Sequence, residues 1–97
     1  MIDRSAIKPV LVRMRRRAFE RLGSFRYSRP ALNDLDRKLE RHLAYRGGFF
    51  VELGAHDGFN QSNTYYLERR YGWRGILVEP IPELYWRAVR QRPQARV

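Results

Sequence analysis

The ten residues from Phe49 to Gly58 constrain the fold of this chain more than any other stretch. Phe49-Phe50-Val51-Glu52-Leu53 is a short apolar run bounded by turn signals, the pattern of a buried strand. It stops on Gly54, and Gly58 follows after three more residues. Gly75-Ile76-Leu77-Val78 is a second such run, continuously apolar as in a strand covered on both faces, and it ends on Glu79. Strand, glycine-punctuated loop, helix and strand together make the corner of an open α/β sheet where the backbone passes close to a ligand.

The segments around these strands carry helical signals. Asn63 or Ser62 can cap a helix over Thr64–Tyr71, with Gly72 as its stop. Pro82 and Glu83 suit the first turn of another, with Leu84, Tyr85, Ala88 and Val89 as its apolar face and Pro93 as its end. Ala95-Arg96-Val97 reads as the start of a third strand. Upstream, Leu32, Leu35, Leu39 and Leu43 repeat at spacings of three and four, which predicts a helix from Ala31 to about Arg46 that lies as a lid over the sheet. Gly47-Gly48 would end it. The expected order is β-α-β-α-β, half of a doubly wound parallel sheet of Rossmann type, preceded by N-terminal helices. On this reading residues 1–30 are a basic helical leader and linker, and residues 31–97 the half-domain.

Charge separates the same two parts. Residues 1–48 hold 13 Lys/Arg against 5 Asp/Glu, whereas residues 49–97 hold 7 against 5. The basic excess therefore belongs to the leader and not to the glycine loop. Between Val10 and Leu22 apolar Val10, Leu11, Met14, Ala18, Phe19 and Leu22 recur at helical spacing, interleaved with Arg13, Arg15, Arg16, Arg17 and Arg21. Such a helix either lies on an anionic membrane or nucleic acid, or is a solvated helix laid over the domain. No apolar run approaches the ~18 residues of a membrane span. Arginines follow Val12 at once, which argues against a secretory signal. The chain has no cysteine, in keeping with a cytoplasmic setting.

Two acids mark the chemistry of the corner. Glu79 lies 21 positions after Gly58, near the ~20-residue offset at which an acid meets a ribose diol in nucleotide-binding βαβ units. Glu52 sits inside an apolar strand, where a carboxylate is costly unless paired, and is expected to point into the cleft and hold a donor or an arginine. A dinucleotide corner wants G-x-G-x-x-G, but position 56 is His. The observed spacing, Glu52-x-Gly54-x-x-x-Gly58, suits a ligand with ribose and adenine but no phosphates, namely S-adenosylmethionine. Asp57-Gly58 alone could signal a hairpin, but Phe59-Asn60-Gln61-Ser62-Asn63 supplies no second strand. His56 stands without neighbouring ligands, so no metal site is expected.

At these residues the chain resembles a known family. Asn33-Asp34-Leu35-Asp36, the run Gly48–Gly58, Ser62-Asn63-Thr64 with Leu67-Glu68, and the run Gly72–Pro80 are similar to the FkbM-type methyltransferases. The resemblance covers residues 31–97 and implies S-adenosylmethionine-dependent methylation of a hydroxyl on a small-molecule or glycan acceptor. It implies that Glu52, Gly54, Ala55 and Gly58 form the cofactor loop and that Asn63 belongs to a polar segment beside it. It further implies that Glu79 is the ribose acid and that Ile81 lies near adenine. It assigns no catalytic base. Members of that family continue well past this length, so the chain is expected to be the cofactor-binding part, inactive alone, with its first strand a bare edge. The expectation from another class is a small basic protein that binds an anionic membrane or nucleic acid through its leader.

Overall fold

The computed structural model describes residues 4–97, with side-chain surroundings from Ile7 onward. Its elements are α1 (Arg4–Arg21), a 3-10 turn (Leu32–Asp34), α2 (Leu35–Leu43), β1 (Phe49–Leu53), α3 (Tyr65–Tyr71), β2 (Arg74–Val78) and α4 (Pro82–Gln91). The fold is mixed α/β, with four α-helices and a two-stranded parallel sheet. The strands pair in register from Phe49 opposite Arg74 to Leu53 opposite Val78. At the predicted third strand Arg96 bridges in parallel to Ile76. Its N–H donates to Gly75 O (3.0 Å), and its carbonyl accepts from Leu77 N (2.7 Å). β2 therefore has partners on both sides and β1 on one.

The core gathers Phe50, Ala55, Leu67, Trp73, Leu77 and Ala88 between one sheet face and the helices α3 and α4. The close approach of the strands depends on Gly75, where a Cβ would fall 2.2 Å from the carbonyl oxygen of Phe50. Gly72 ends α3 in the left-handed region (φ 65°), and its N–H returns to Glu68 O (3.1 Å), as the sequence predicts. Ser62 serves the start of α3: its Oγ accepts from the N–H groups of Thr64 (3.2 Å) and Tyr65 (3.1 Å).

Three expectations are corrected. The strands are not covered on both faces: Phe49, Val51 and Leu53 of β1 and Ile76 and Val78 of β2 are all exposed. Helices pack on one side of the sheet only, so the alternate residues of each apolar run face solvent. The second predicted helix is shorter than the leucine repeat suggests, because Asn33 and Asp34 adopt left-handed φ values of 54° and 55° and break it from its first turn. Buried Asp36 holds that break by accepting from Ala31 N (3.1 Å) and Arg37 N (2.9 Å). Leu32 and Leu35 are consequently exposed, and α2 packs on α3 rather than lying over the sheet.

α1 is docked, and with the opposite face from the one its apolar spacing suggests. Arg16 is the buried residue of the helix. Its Nε donates to Tyr65 Oη (3.1 Å) and its Nη2 to Gln91 Oε1 (2.8 Å), and the guanidinium lies 3.6 Å from the centre of the Phe59 ring. Glu20, one turn on, accepts from Arg69 (2.9 Å), Tyr65 Oη (2.9 Å) and Ser28 Oγ (2.6 Å). Val10, Leu11, Met14 and Leu22 face outward.

Candidate functional site

The loop between β1 and α3 is folded by its own backbone. Val78 O accepts from both Gly54 N (2.9 Å) and Ala55 N (3.0 Å), which ties the start of the loop to the end of β2. Gly58 N returns to Ala55 O (3.0 Å) and closes a tight turn. Asp57 braces it, its Oδ1 accepting from Phe59 N (3.0 Å) and Asn60 N (2.8 Å). Burial alone would raise the Asp57 pKa. The backbone donors of Phe59 and Asn60 outweigh that and hold the carboxyl below its ordinary range.

Within this turn His56 takes a left-handed φ of 57°, a conformation that costs a non-glycine residue about 1–3 kcal/mol. The conformation delivers its N–H to Glu79 Oε1 at 2.7 Å, while Ile81 N donates to Glu79 Oε2 at 3.0 Å. Both carboxylate oxygens are thus oriented by backbone donors, and each retains a further lone pair. Gly54 needs its glycine for a φ of 72°, and a Cβ built there meets nothing within 4 Å. Leu53, Gly54, His56 and Ile81 are all exposed, so this corner opens to solvent beside a partly exposed Glu79. Gly58 serves another purpose: a Cβ there would lie 2.9 Å from Arg92 Cγ and 3.1 Å from Ala88 Cα, so the residue lets α4 pack on the loop.

Glu52 faces the helices. Its Oε1 accepts from Thr64 Oγ1 (2.6 Å), Thr64 N (3.0 Å) and Ser62 Oγ (3.1 Å). Behind those hydroxyls lies Arg92, fully buried, whose Nη2 donates to Thr64 Oγ1 (3.0 Å) and Nη1 to Ser62 Oγ (3.2 Å) and Gly58 O (2.9 Å). Its Nε completes an ion pair with buried Glu68 Oε2 at 3.0 Å. The donors expected for Glu52 are therefore hydroxyls and a backbone amide, with an arginine one bond further away. Arg92 was not picked out from sequence, and Glu68 entered only as part of the resembling segment, with no role assigned. An arginine at the end of a helix is ordinarily exposed, and the one signal was the acid in an apolar strand that had to find donors somewhere.

The structure thus divides the predicted site residues. Gly54, Ala55, Glu79 and Ile81 meet where β1 and β2 end. Glu52 belongs to the polar network beneath the loop and Gly58 to its contact with α4. Asn63 lines a depression of about 400 Å³ with Leu32, Asn33, Leu35, Lys38 and Gln61. Among the described residues no group of three His, Cys, Asp or Glu side chains could hold a metal ion. Comparison of the chain with family models, curated proteins and solved structures found no match.

Proposed function

We propose that this chain is the cofactor-binding part of an S-adenosylmethionine-dependent O-methyltransferase with a Rossmann-like sheet, of the FkbM type. The observation that carries the reading is Glu79, held at the end of β2 by the N–H groups of His56 and Ile81 with a lone pair left on each oxygen. A carboxylate fixed in this way suits the two hydroxyls of a ribose. Open space before Gly54 would admit the nucleoside, and exposed Ile81 offers an apolar surface for adenine. The N–H groups of Gly54, Ala55, His56 and Gly58 are all taken by internal acceptors, which favours a ligand without a pyrophosphate.

When bound, the cofactor would supply a methyl group on a sulfonium centre for transfer to a hydroxyl of a small molecule or glycan. The acceptor hydroxyl would also need a base to take its proton. The residues of this corner bind and orient; none of them is placed to be that base. The bare sheet face and the unpaired edge of β1 fit a half-domain whose second layer and acceptor-binding loops come from further chain. A cytoplasmic setting accords with the lack of cysteine.

Nitrogen-labelled protein titrated with S-adenosylmethionine tests the reading. The expected result is weak, saturable movement of the Gly54, His56 and Ile81 amide resonances, abolished in Glu79→Ala, with no methyl transfer by this chain alone. An absence of movement at millimolar cofactor, or movement unaffected by Glu79→Ala, would sink it.

A further inference from the structure

We infer that the outward face of α1 is a docking surface for an anionic lipid bilayer, on which the helix lies flat. The buried residue Arg16 defines the inward face, joined to Tyr65 and Gln91 and stacked on Phe59. Opposite it on the helix stand Ile7, Val10, Leu11 and Met14, and exposed Leu22 follows in the turn after its last residue. Leu11 is 57 %, Met14 61 % and Leu22 85 % exposed. Docking through Arg16 therefore leaves an apolar stripe in water along the helix, and among the described residues nothing covers it.

The charge beside that stripe selects the occupant. Lys8 and Arg15 lie along one border and Arg17, which also donates to Arg90 O, along the other, while Arg21 stands within the stripe beside Met14. The acid of α1 in the described region, Glu20, is turned inward onto Arg69 and Tyr65, so it does not offset these cations at the surface. An apolar band bordered by cations on both sides is the arrangement that seats a helix at the headgroup level of an anionic membrane. Nucleic acid would use the cations but would leave Leu11, Met14 and Leu22 in water. The helix lies on such a surface and does not cross it: among the described residues no helix is long and apolar enough to span a membrane.

Co-sedimentation of the full chain with vesicles of phosphatidylcholine, alone or mixed with phosphatidylserine, tests this. Binding to the mixed vesicles only, weakened by salt, is expected. Arg15→Gln should lower the partition coefficient about five-fold. Leu11→Glu, at an exposed position that leaves the Arg16 contacts and the circular dichroism unchanged, should lower it ten-fold or more, on the order expected for one buried leucine. Val51→Ser, on the bare sheet face, should leave it unchanged. Equal binding to both vesicle types, or loss of binding in V51S but not in L11E, overturns the inference. Salt-sensitive binding to a single-stranded RNA oligonucleotide in place of vesicles assigns the arginines to nucleic acid and also overturns it. So does a dimer in vesicle-free solution that L11E dissolves, which would give the stripe to a second copy.

Discussion

Arg92 is the side chain on which the interior depends. It is fully buried and joins Glu68, Gly58, Ser62 and Thr64, and through the two hydroxyls it reaches Glu52. A buried ion pair gives little net stability, but removing one partner strands the other charge in the core. Arg92→Ala should therefore destabilise the chain by about 3–5 kcal/mol in urea unfolding. Joint replacement of Arg92 and Glu68 by Met and Gln should recover much of that loss. Equal losses in the single and double variants would refute this account.

Glu40 is another strongly held carboxylate. It accepts from Tyr71 Oη (2.6 Å), Tyr66 Oη (2.7 Å) and Arg29 Nη2 (2.8 Å). Burial alone would raise its pKa, but the hydrogen bonds from Tyr71, Arg29 and Tyr66, with the Arg29 charge, together hold it at about 2. The same cluster pushes the Tyr66 phenol up to about 12, through burial first and the Glu40 hydrogen bond second. A folded-state value below the ordinary 4.5 means that the stabilisation is full above pH 4.5 and fades as pH falls toward about 2. Glu40→Gln should thus be less stable than the parent at neutral pH, and the gap should close through that acid window. A gap independent of pH would show that the carboxylate charge contributes nothing.

At the scale of elements, α1 is held by polar contacts where a helix of this kind is ordinarily held by an apolar face. Arg16 and Glu20 join it to Tyr65, Arg69 and Gln91, and Arg17 Nη2 adds a bond to Arg90 O at 3.3 Å. Arg16→Ala should release the helix without unfolding the sheet. Amides of α1 should then exchange at rates close to the free chain while those of β2 stay protected, and trypsin should cleave first at Arg13, Arg15, Arg17 and Arg21. Uniform loss of protection would mean that α1 and the sheet unfold as one unit. β2 is less tolerant, since the carbonyl of Phe50 occupies the space a side chain at Gly75 would need. Gly75→Val should prevent the pairing of the two strands.

For the whole molecule, the bare sheet face is the feature with most consequence. Phe49, Val51, Leu53, Ile76 and Val78 form an exposed apolar surface next to the unpaired edge of β1. A contiguous patch of this kind is an interaction site or an aggregation liability. Val51→Lys with Leu53→Lys should reduce concentration-dependent association seen by light scattering. Because both positions are exposed, unfolding stability should change by no more than about 0.5 kcal/mol. An unaltered association would place the sticky surface elsewhere.

Much of the local structure was legible in the sequence because it is written in neighbouring residues. Two short apolar runs, Gly54 between strand and turn, Gly72 after a helix and Pro82 before one each act through backbone geometry within a few positions. The ends of the strands, and with them the meeting of the Gly54 loop and Glu79, follow from those signals. Periodicity also told that Val10, Leu11, Met14 and Ala18 share a face of α1, although Phe19, counted with them, turns half inward onto Tyr27. It could not tell which way that face points, because the direction depends on Tyr65 and Gln91, far along the chain, offering Arg16 better partners than the apolar stripe finds. The burial of Arg92 and the open face of the sheet are of the same kind. Each rests on a partner distant in sequence, or on the lack of one among the described residues, and only the assembled tertiary structure decides that.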